Sequence, residues 1–202
     1  MNEPTADPQH QSKGQYPILT VPLIKILVAL ALPVVLFFGG GYLMLLFTAR
    51  DQFPQTSAPE SVPLHFRLGG YNAEQAQAYW AWLGAEGQLA ELRFLEVDLV
   101  FPLVYGGALL VSLFLIWGWL GRPFRLAWLL APLAVTVIAD WTENLVHWHQ
   151  LHRVLRQEPV QDFWMHMASL ATTTKMLCFT LSATLLVALA LKRLARISRG
   201  MG

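Results

Sequence analysis

The sequence predicts an all-α protein built as a bundle of four transmembrane helices, and two observations support this fold class. Hydrophobic residues make up 55% of the 202-residue chain and charged residues 13%, whereas a soluble domain carries about 25% charge. Four long apolar stretches lie at about 22–48, 97–120, 126–148 and 164–191. Each is near or above the ~20 apolar residues that a helix needs to cross the hydrocarbon core of a bilayer.

The first apolar stretch is expected to be an uncleaved span, preceded by a disordered polar tail at 1–20. The stretch is longer than the ~7–15-residue apolar region of a signal peptide, and no clear small-x-small cleavage site follows it. Pro33 and the run Gly39-Gly40-Gly41 interrupt it. Helices in lipid tolerate such residues, although the glycines would also allow a neighbouring helix to approach closely.

A connector at 49–95 separates the first two spans and is expected to carry a short amphipathic helix. Its first part, 51–70, is rich in Pro, Ser and Gln and predicts a loop. Asn72 and Gln75 then match a capping box, in which each side chain bonds a backbone amide at the helix start. The helix is expected to end at Gly84, since glycine favours helix ends.

The short helix is expected to lie on the membrane surface. Trp80 and Trp82 suit the interface between lipid and water, where their rings contact both phases. A second helical segment, at about 86–95, is expected to lead into the second span.

The remaining connectors are short, which favours a single domain over residues 21–195. The turn Gly121-Arg122-Pro123 makes the second and third spans an antiparallel hairpin. A loop of about ten residues joins the third span to the fourth. Residues 196–202 are expected to form a basic tail.

The distribution of Lys and Arg predicts that both termini are cytoplasmic. Four spans place the two termini on the same side, with Lys13, Lys25, Arg122, Arg125, Lys192, Arg193, Arg196 and Arg199. The other side holds Arg50, Arg67, Arg93, Arg153 and Arg156. Because positive residues accumulate in cytoplasmic segments, this bias predicts a multi-pass protein of the cell membrane whose 49–95 connector lies outside.

Four ionisable residues from three spans are expected to share one depth. Counted from the basic residues at the cytoplasmic ends, at about 1.5 Å per residue, Asp140, Glu143 and Lys175 fall in the outer part of the hydrocarbon layer. Asp98 falls at its outer boundary. Ionisable groups at such depth turn away from lipid and mark candidate functional sites.

Helical spacing adds neighbours to this group. Asp140, Glu143, Asn144 and His147 have offsets 0, 3, 4 and 7, so they share one helix face. The candidate site therefore consists of Asp98, Tyr105, Asp140, Glu143, Asn144, His147 and Lys175.

Three interpretations of these residues remain open. Lys175 would pair with Asp140 or Glu143 and clamp the helices together, with interhelical hydrogen bonds adding about 1 kcal/mol each. The same groups would form a binding or transport site. Alternatively, one carboxyl would serve as the general acid or base of an enzyme.

A metal site is the most specific version of the enzyme hypothesis. Asp140, Glu143 and His147 lie on one face, and His166 or Asp98 would be a further ligand. Lys175 at the same depth would repel a cation, and the sequence contains no HExxH motif. Cys178 is the only cysteine, which excludes CxxC chemistry. We therefore expect no cofactor.

Two local patterns carry a resemblance to a known group. One is Gly70-Tyr71, a short helix ending at Leu83-Gly84, and then Asp98-x-x-Phe101-Pro102-x-x-Tyr105. The other is Ala139-Asp140-x-x-Glu143-Asn144. Together they resemble bacterial integral membrane proteins with four spans, over most of residues 70–190. The resemblance implies the four-helix layout and a bacterial inner membrane, and it implies no substrate. It also implies the choice of Asp98, Tyr105, Asp140, Glu143 and Asn144 as site residues.

The leading functional hypothesis is binding, or assistance in transport, of a small amphipathic or lipid-like ligand. A polar cluster at outer-leaflet depth beneath an aromatic helix would receive a headgroup while the tails stay in lipid. The alternatives are a membrane-embedded enzyme and a structural accessory subunit of a membrane complex. Expected partners are the bilayer, such a ligand, and a membrane protein or a second copy. A net charge of +1 gives no reason to expect nucleic acid.

Overall fold

The computed structural model describes residues 20–53 and 58–199. Apart from Thr20, the tail predicted at 1–20 lies outside this range, as do residues 200–202. The helices are α1 Thr20–Phe47, α2 Ala73–Asp98, α3 Phe101–Trp119, α4 Leu126–Leu155 and α5 Asp162–Ser198. Single turns of 3₁₀ helix occur at Arg50–Gln52, Pro59–Ser61 and Leu64–Phe66. The described residues contain no strand.

Four helical stretches of the described chain are long and apolar enough to cross a membrane. They are Pro22–Phe47, Ala73–Trp119, Leu126–Leu155 and Asp162–Ser198. The second stretch joins α2 to α3, and its strongly apolar part is α3. The protein is therefore a multi-pass integral membrane protein with a four-helix transmembrane bundle, which confirms the predicted fold class.

Two helix ends differ from the sequence prediction. α4 continues to Leu155, past the predicted span end at 148. α5 continues to Ser198, so the first residues of the basic tail predicted at 196–202 are helical. Arg196 explains part of this extension, because its Nη1 donates to the carbonyl oxygen of Leu120 at 2.8 Å and fastens the end of α5 to the α3–α4 turn.

The bundle core is made by apolar faces of all four spans. α4 packs most extensively on α5, and α1 packs mainly on α3. The core contains Ile26, Tyr105, Leu109, Leu113, Ile116, Leu129, Leu133, Leu186 and Leu189. Gly40 allows α1 to approach α3, since a Cβ atom there would lie 2.8 Å from the ring of Phe101. The glycine run at 39–41 is therefore tolerated within the helix, and its Gly40 also allows α1 to pack closely on α3.

Residues 58–98 form a cap over one end of the bundle, which we call the cap end. The capping box at Asn72 and Gln75 is present, with both reciprocal hydrogen bonds. α2 bends at Gly84, whose φ of 65° is a left-handed conformation that favours glycine. Two helical segments thus meet where the sequence predicts one to end and a second to begin.

The cap has its own apolar core, which rests on α4 and α5. It contains Leu64, Tyr71, Ala76, Tyr79, Trp80, Leu83, Leu95, Val146, Leu151, Met165 and Ala168. Trp80 is 0% exposed within the protein, so the interpretation of this residue as a lipid-interface anchor is wrong. Its ring instead makes an edge contact with His147, with the two centroids 6.3 Å apart.

A buried ion pair fastens the end of α1 to α2. The Nε of Arg50 lies 2.5 Å from Oε2 of Glu91, and the two side chains are 5% and 4% exposed. The same guanidinium donates to the hydroxyl of Tyr79 and to the carbonyl oxygen of Phe53. This ion pair was not predicted from the sequence.

Candidate functional site

Lys175 binds two carboxylates at the centre of the predicted polar group. Its Nζ lies 2.9 Å from Oδ1 of Asp140 and 2.5 Å from Oε2 of Glu143. Residues three apart on a helix share a face, so α4 presents both carboxylates to α5. The ion pair that depth counting predicted is therefore present, and it includes both acidic residues.

Asp140 is the most fully bonded member of this cluster. Its Oδ2 accepts from the hydroxyl of Tyr105 at 2.6 Å, and its Oδ1 accepts from Lys175 and from Nδ2 of Asn144 at 3.5 Å. Asn144 also donates to the backbone oxygen of Asp98 at 3.2 Å. The cluster thus connects α3, α4 and α5 and reaches the junction between α2 and α3.

His147 meets the cap instead of the carboxylates. Its Nε2 lies 2.7 Å from the hydroxyl of Tyr71, which is also 3.1 Å from Oγ1 of Thr172. The backbone N–H of Tyr71 donates to Oγ of Ser169 at 3.0 Å. Tyr71 was missing from the predicted site, although Gly70-Tyr71 belongs to the pattern that carries the resemblance.

The electrostatics of the cap follow from its burial. Burial raises the pKa of Tyr71, and the nearby negative charge of Glu143 raises it further, so the phenol stays neutral at neutral pH. Burial lowers the pKa of His65 well below its usual range, and the positive charge of Lys175 acts in the same direction. The cap therefore presents neutral side chains to the charged cluster.

The charge cluster, by which we mean Asp140, Glu143 and Lys175 with their neighbours Tyr105 and Asn144, is closed to solvent at its two carboxylates. Asp140 is 4% exposed, Glu143 0%, His147 3% and Thr172 0%. General acid or base catalysis requires a carboxyl within hydrogen-bond reach of its substrate, and a headgroup would need the same access. In this conformation neither carboxylate reaches the surface. The geometry therefore favours the helix clamp among the three interpretations of these residues.

The structure does not assemble the candidate metal ligands. His166 lies near the exposed start of α5, where its Nδ1 is 3.5 Å from Asp162 and both side chains are more than 60% exposed. Asp140 and Glu143 instead face the ammonium of Lys175. Within residues 20–53 and 58–199, no group of three His, Cys, Asp or Glu side chains is arranged to hold a metal ion. The described residues thus do not support the role of His166 as a further ligand, and that role stays a prediction.

An open groove lies beside the sealed cluster, between α4 and α5 at the cap end. This cap-end groove has a volume of about 300 Å³ and is lined by Leu145, Val146, His149, Gln150 and Trp164. That these residues line one groove was not predicted from the sequence.

A second groove runs along α5 toward its C-terminal end. Its volume is about 510 Å³, and its lining is Phe179, Thr180, Ala183, Thr184, Val187, Ala188 and Leu191. The lining is almost wholly apolar, which is typical of a helix face in contact with lipid tails.

These features define the class of the protein. It is a four-span membrane protein with a buried charge cluster beneath a cap and an open groove beside that cluster. Comparisons with models of protein families, with curated proteins and with solved structures found no match.

Proposed function

We propose that the protein binds a small amphipathic, lipid-like ligand in the cap-end groove and assists its movement at the outer membrane surface. The observation that carries this proposal is the order of side chains along the groove. Leu145 and Val146 make its membrane-facing part apolar, and the exposed His149, one turn further along α4, makes its cap-facing part polar. A headgroup would lie against the polar part, with its tail along Leu145.

The dimensions of the groove suit such a ligand. A volume of about 300 Å³ is at the lower limit for small-molecule sites, which span about 300–1,000 Å³. Trp164 supplies an amphipathic ring of the kind that favours the depth of lipid headgroups. A single chain with a compact headgroup fits these limits better than a bulky two-chain lipid.

The walls of the groove are held in place before any ligand binds. Gln150 accepts from the backbone N–H of Gln161 at 2.9 Å, which ties α4 to the segment that begins α5. About two to three helical turns below Gln150 on α4, the Lys175 ion pairs hold the same two helices together. In this proposal the charge cluster is the clamp that keeps the groove in shape, because preorganised sites lose less entropy on binding.

The positive-inside bias supports an orientation for the site. It favours cytoplasmic termini, which would place the cap end and its groove at the outer leaflet of the cell membrane. In a bacterium this would be the inner membrane, and ligands would then enter laterally from that leaflet.

Leu145→Trp is expected to fill the groove and abolish retention of lipid by the purified protein. Leu145 is 52% exposed, so the larger ring costs little in packing. Leu170→Trp is the matched control, because Leu170 is 63% exposed and lies outside the groove lining. Native mass spectrometry of protein extracted in mild detergent measures the bound fraction.

The proposal expects retained lipid in the wild type and in Leu170→Trp, and a loss of at least about tenfold in Leu145→Trp. Equal retention by both variants would place the lipid elsewhere. A wild type without retained lipid would remove the observation that the proposal needs.

A further inference from the structure

We propose that the buried charge cluster is a proton-binding site, in which one carboxyl group carries a proton while the protein is folded at neutral pH. The cluster holds more acidic than basic side chains. Ionised Asp140 and Glu143 would carry two negative charges against the single positive charge of Lys175. Asp98, which Asn144 links to the same cluster, would add a third negative charge.

A surplus negative charge at this place is unfavourable. Asp140 and Glu143 are 4% and 0% exposed and belong to a membrane-spanning helix, so water does not solvate them. An uncompensated carboxylate in a medium of low dielectric constant costs so much that the group takes up a proton instead. Lys175 is the one basic side chain in ion-pair contact with these carboxylates in the described part of the chain.

The hydrogen bonds show where a neutral side chain is best tolerated. Asp140 receives three donors, from Tyr105, Asn144 and Lys175, as an ionised carboxylate requires. Glu143 has the Lys175 ammonium beside Oε2 as an ion-pair contact, but neither of its two buried carboxyl oxygens receives a hydrogen bond among the described residues. A buried oxygen without a donor is less costly on a neutral group than on a charged one.

The surroundings offer no further charge that would balance the cluster. The titratable groups that face it from the cap and from the other helices are His65, Tyr71, Asp98, Tyr105 and His147. The two tyrosines and Asp98 cannot supply positive charge, and His147, buried with its Nε2 against the Tyr71 hydroxyl, makes no ion pair with a carboxylate among the described residues. Burial lowers the pKa of His65, which keeps that imidazole neutral at neutral pH.

Glu143→Gln and Asp140→Asn form a matched pair that tests this inference, since each replaces a carboxyl with a neutral amide of the same shape. The folded protein would hold a proton that the unfolded chain has released, so its stability should fall as pH rises. Melting temperatures of the full chain in detergent, from about pH 5 to pH 9, measure this dependence.

We expect Glu143→Gln to keep the wild-type melting temperature near neutral pH and to flatten its decline with pH. Asp140→Asn should melt several degrees lower, because it removes the charge that Lys175 needs. The inference would be overturned if both variants lost the same number of degrees in melting temperature and the melting temperature of the wild type did not decline as pH rises. If neither variant folds, infrared spectroscopy of the wild type decides: a carbonyl band of a protonated carboxyl at neutral pH supports the site, and its absence overturns it.

Discussion

Lys175→Met is expected to lower the free energy of unfolding by about 3–5 kcal/mol, the usual cost of removing one partner of a buried ion pair. The ammonium lies within 2.9 Å of Asp140 and 2.5 Å of Glu143, and its side chain is only 13% exposed. Its loss leaves a carboxylate in a place without water, and that carboxylate must take up a proton. Thermal unfolding in detergent measures the loss.

A double variant tests whether Lys175 is ion-paired with a carboxylate or merely lies near it. Asp140→Asn, added to Lys175→Met, should recover part of the lost stability, because it removes the carboxylate that the methionine leaves unpaired. Losses that simply add would mean that Lys175 reaches the membrane surface alone and stabilises neither carboxylate.

Glu91→Ala is expected to destabilise the protein by a similar amount, about 3–5 kcal/mol. The guanidinium of Arg50 would stay buried, with a hydroxyl and a carbonyl as its remaining partners. The cap would loosen first, because this pair ties α2 to the end of α1. Hydrogen exchange along residues 58–98 and the melting temperature together measure the effect.

Glu158→Ala is the matched control for that experiment. Glu158 pairs with Arg153 at 2.9 Å, but the two side chains are 42% and 23% exposed. Exposed pairs contribute about 0–1 kcal/mol, so this variant should remain close to the wild type. If Glu91→Ala lost no more stability than Glu158→Ala, the buried pair would not hold the cap.

The parts of the fold that the sequence predicted depend on strong local signals. Long apolar stretches identified the four spans, and the spacing of Asn72, Gln75 and Gly84 identified the two segments of α2. Counting residues from the cytoplasmic helix ends placed Asp140, Glu143 and Lys175 at one depth, because transmembrane helices are nearly straight and start at the same membrane surface. The common depth allowed an ion pair between residues 35 positions apart to be predicted from a single sequence.

The parts that could not be predicted depend on how the cap folds over the bundle. Arg50 and Glu91 are 41 positions apart, and no local spacing links them. Tyr71 reaches His147 across 76 positions. Trp80 resembles an interfacial tryptophan in sequence, since burial in a cap core and contact with lipid require the same apolar ring. The cap-end groove likewise depends on how residues of α4 and Trp164 of α5 pack together.

Cysteine accessibility tests the central claim most directly, namely that the charge cluster is sealed beneath the cap while the adjacent groove is open. In a Cys178→Ser background, single cysteines replace Glu60 in the cap, His149 in the groove and Thr172 beneath Tyr71. Intact cells are treated with a maleimide that does not cross membranes. The account predicts labelling at 60 and 149 from outside, and labelling at 172 only after denaturation. Labelling at 172 as fast as at 149 would contradict the seal, and labelling at 60 only from the cytoplasmic side would contradict the orientation.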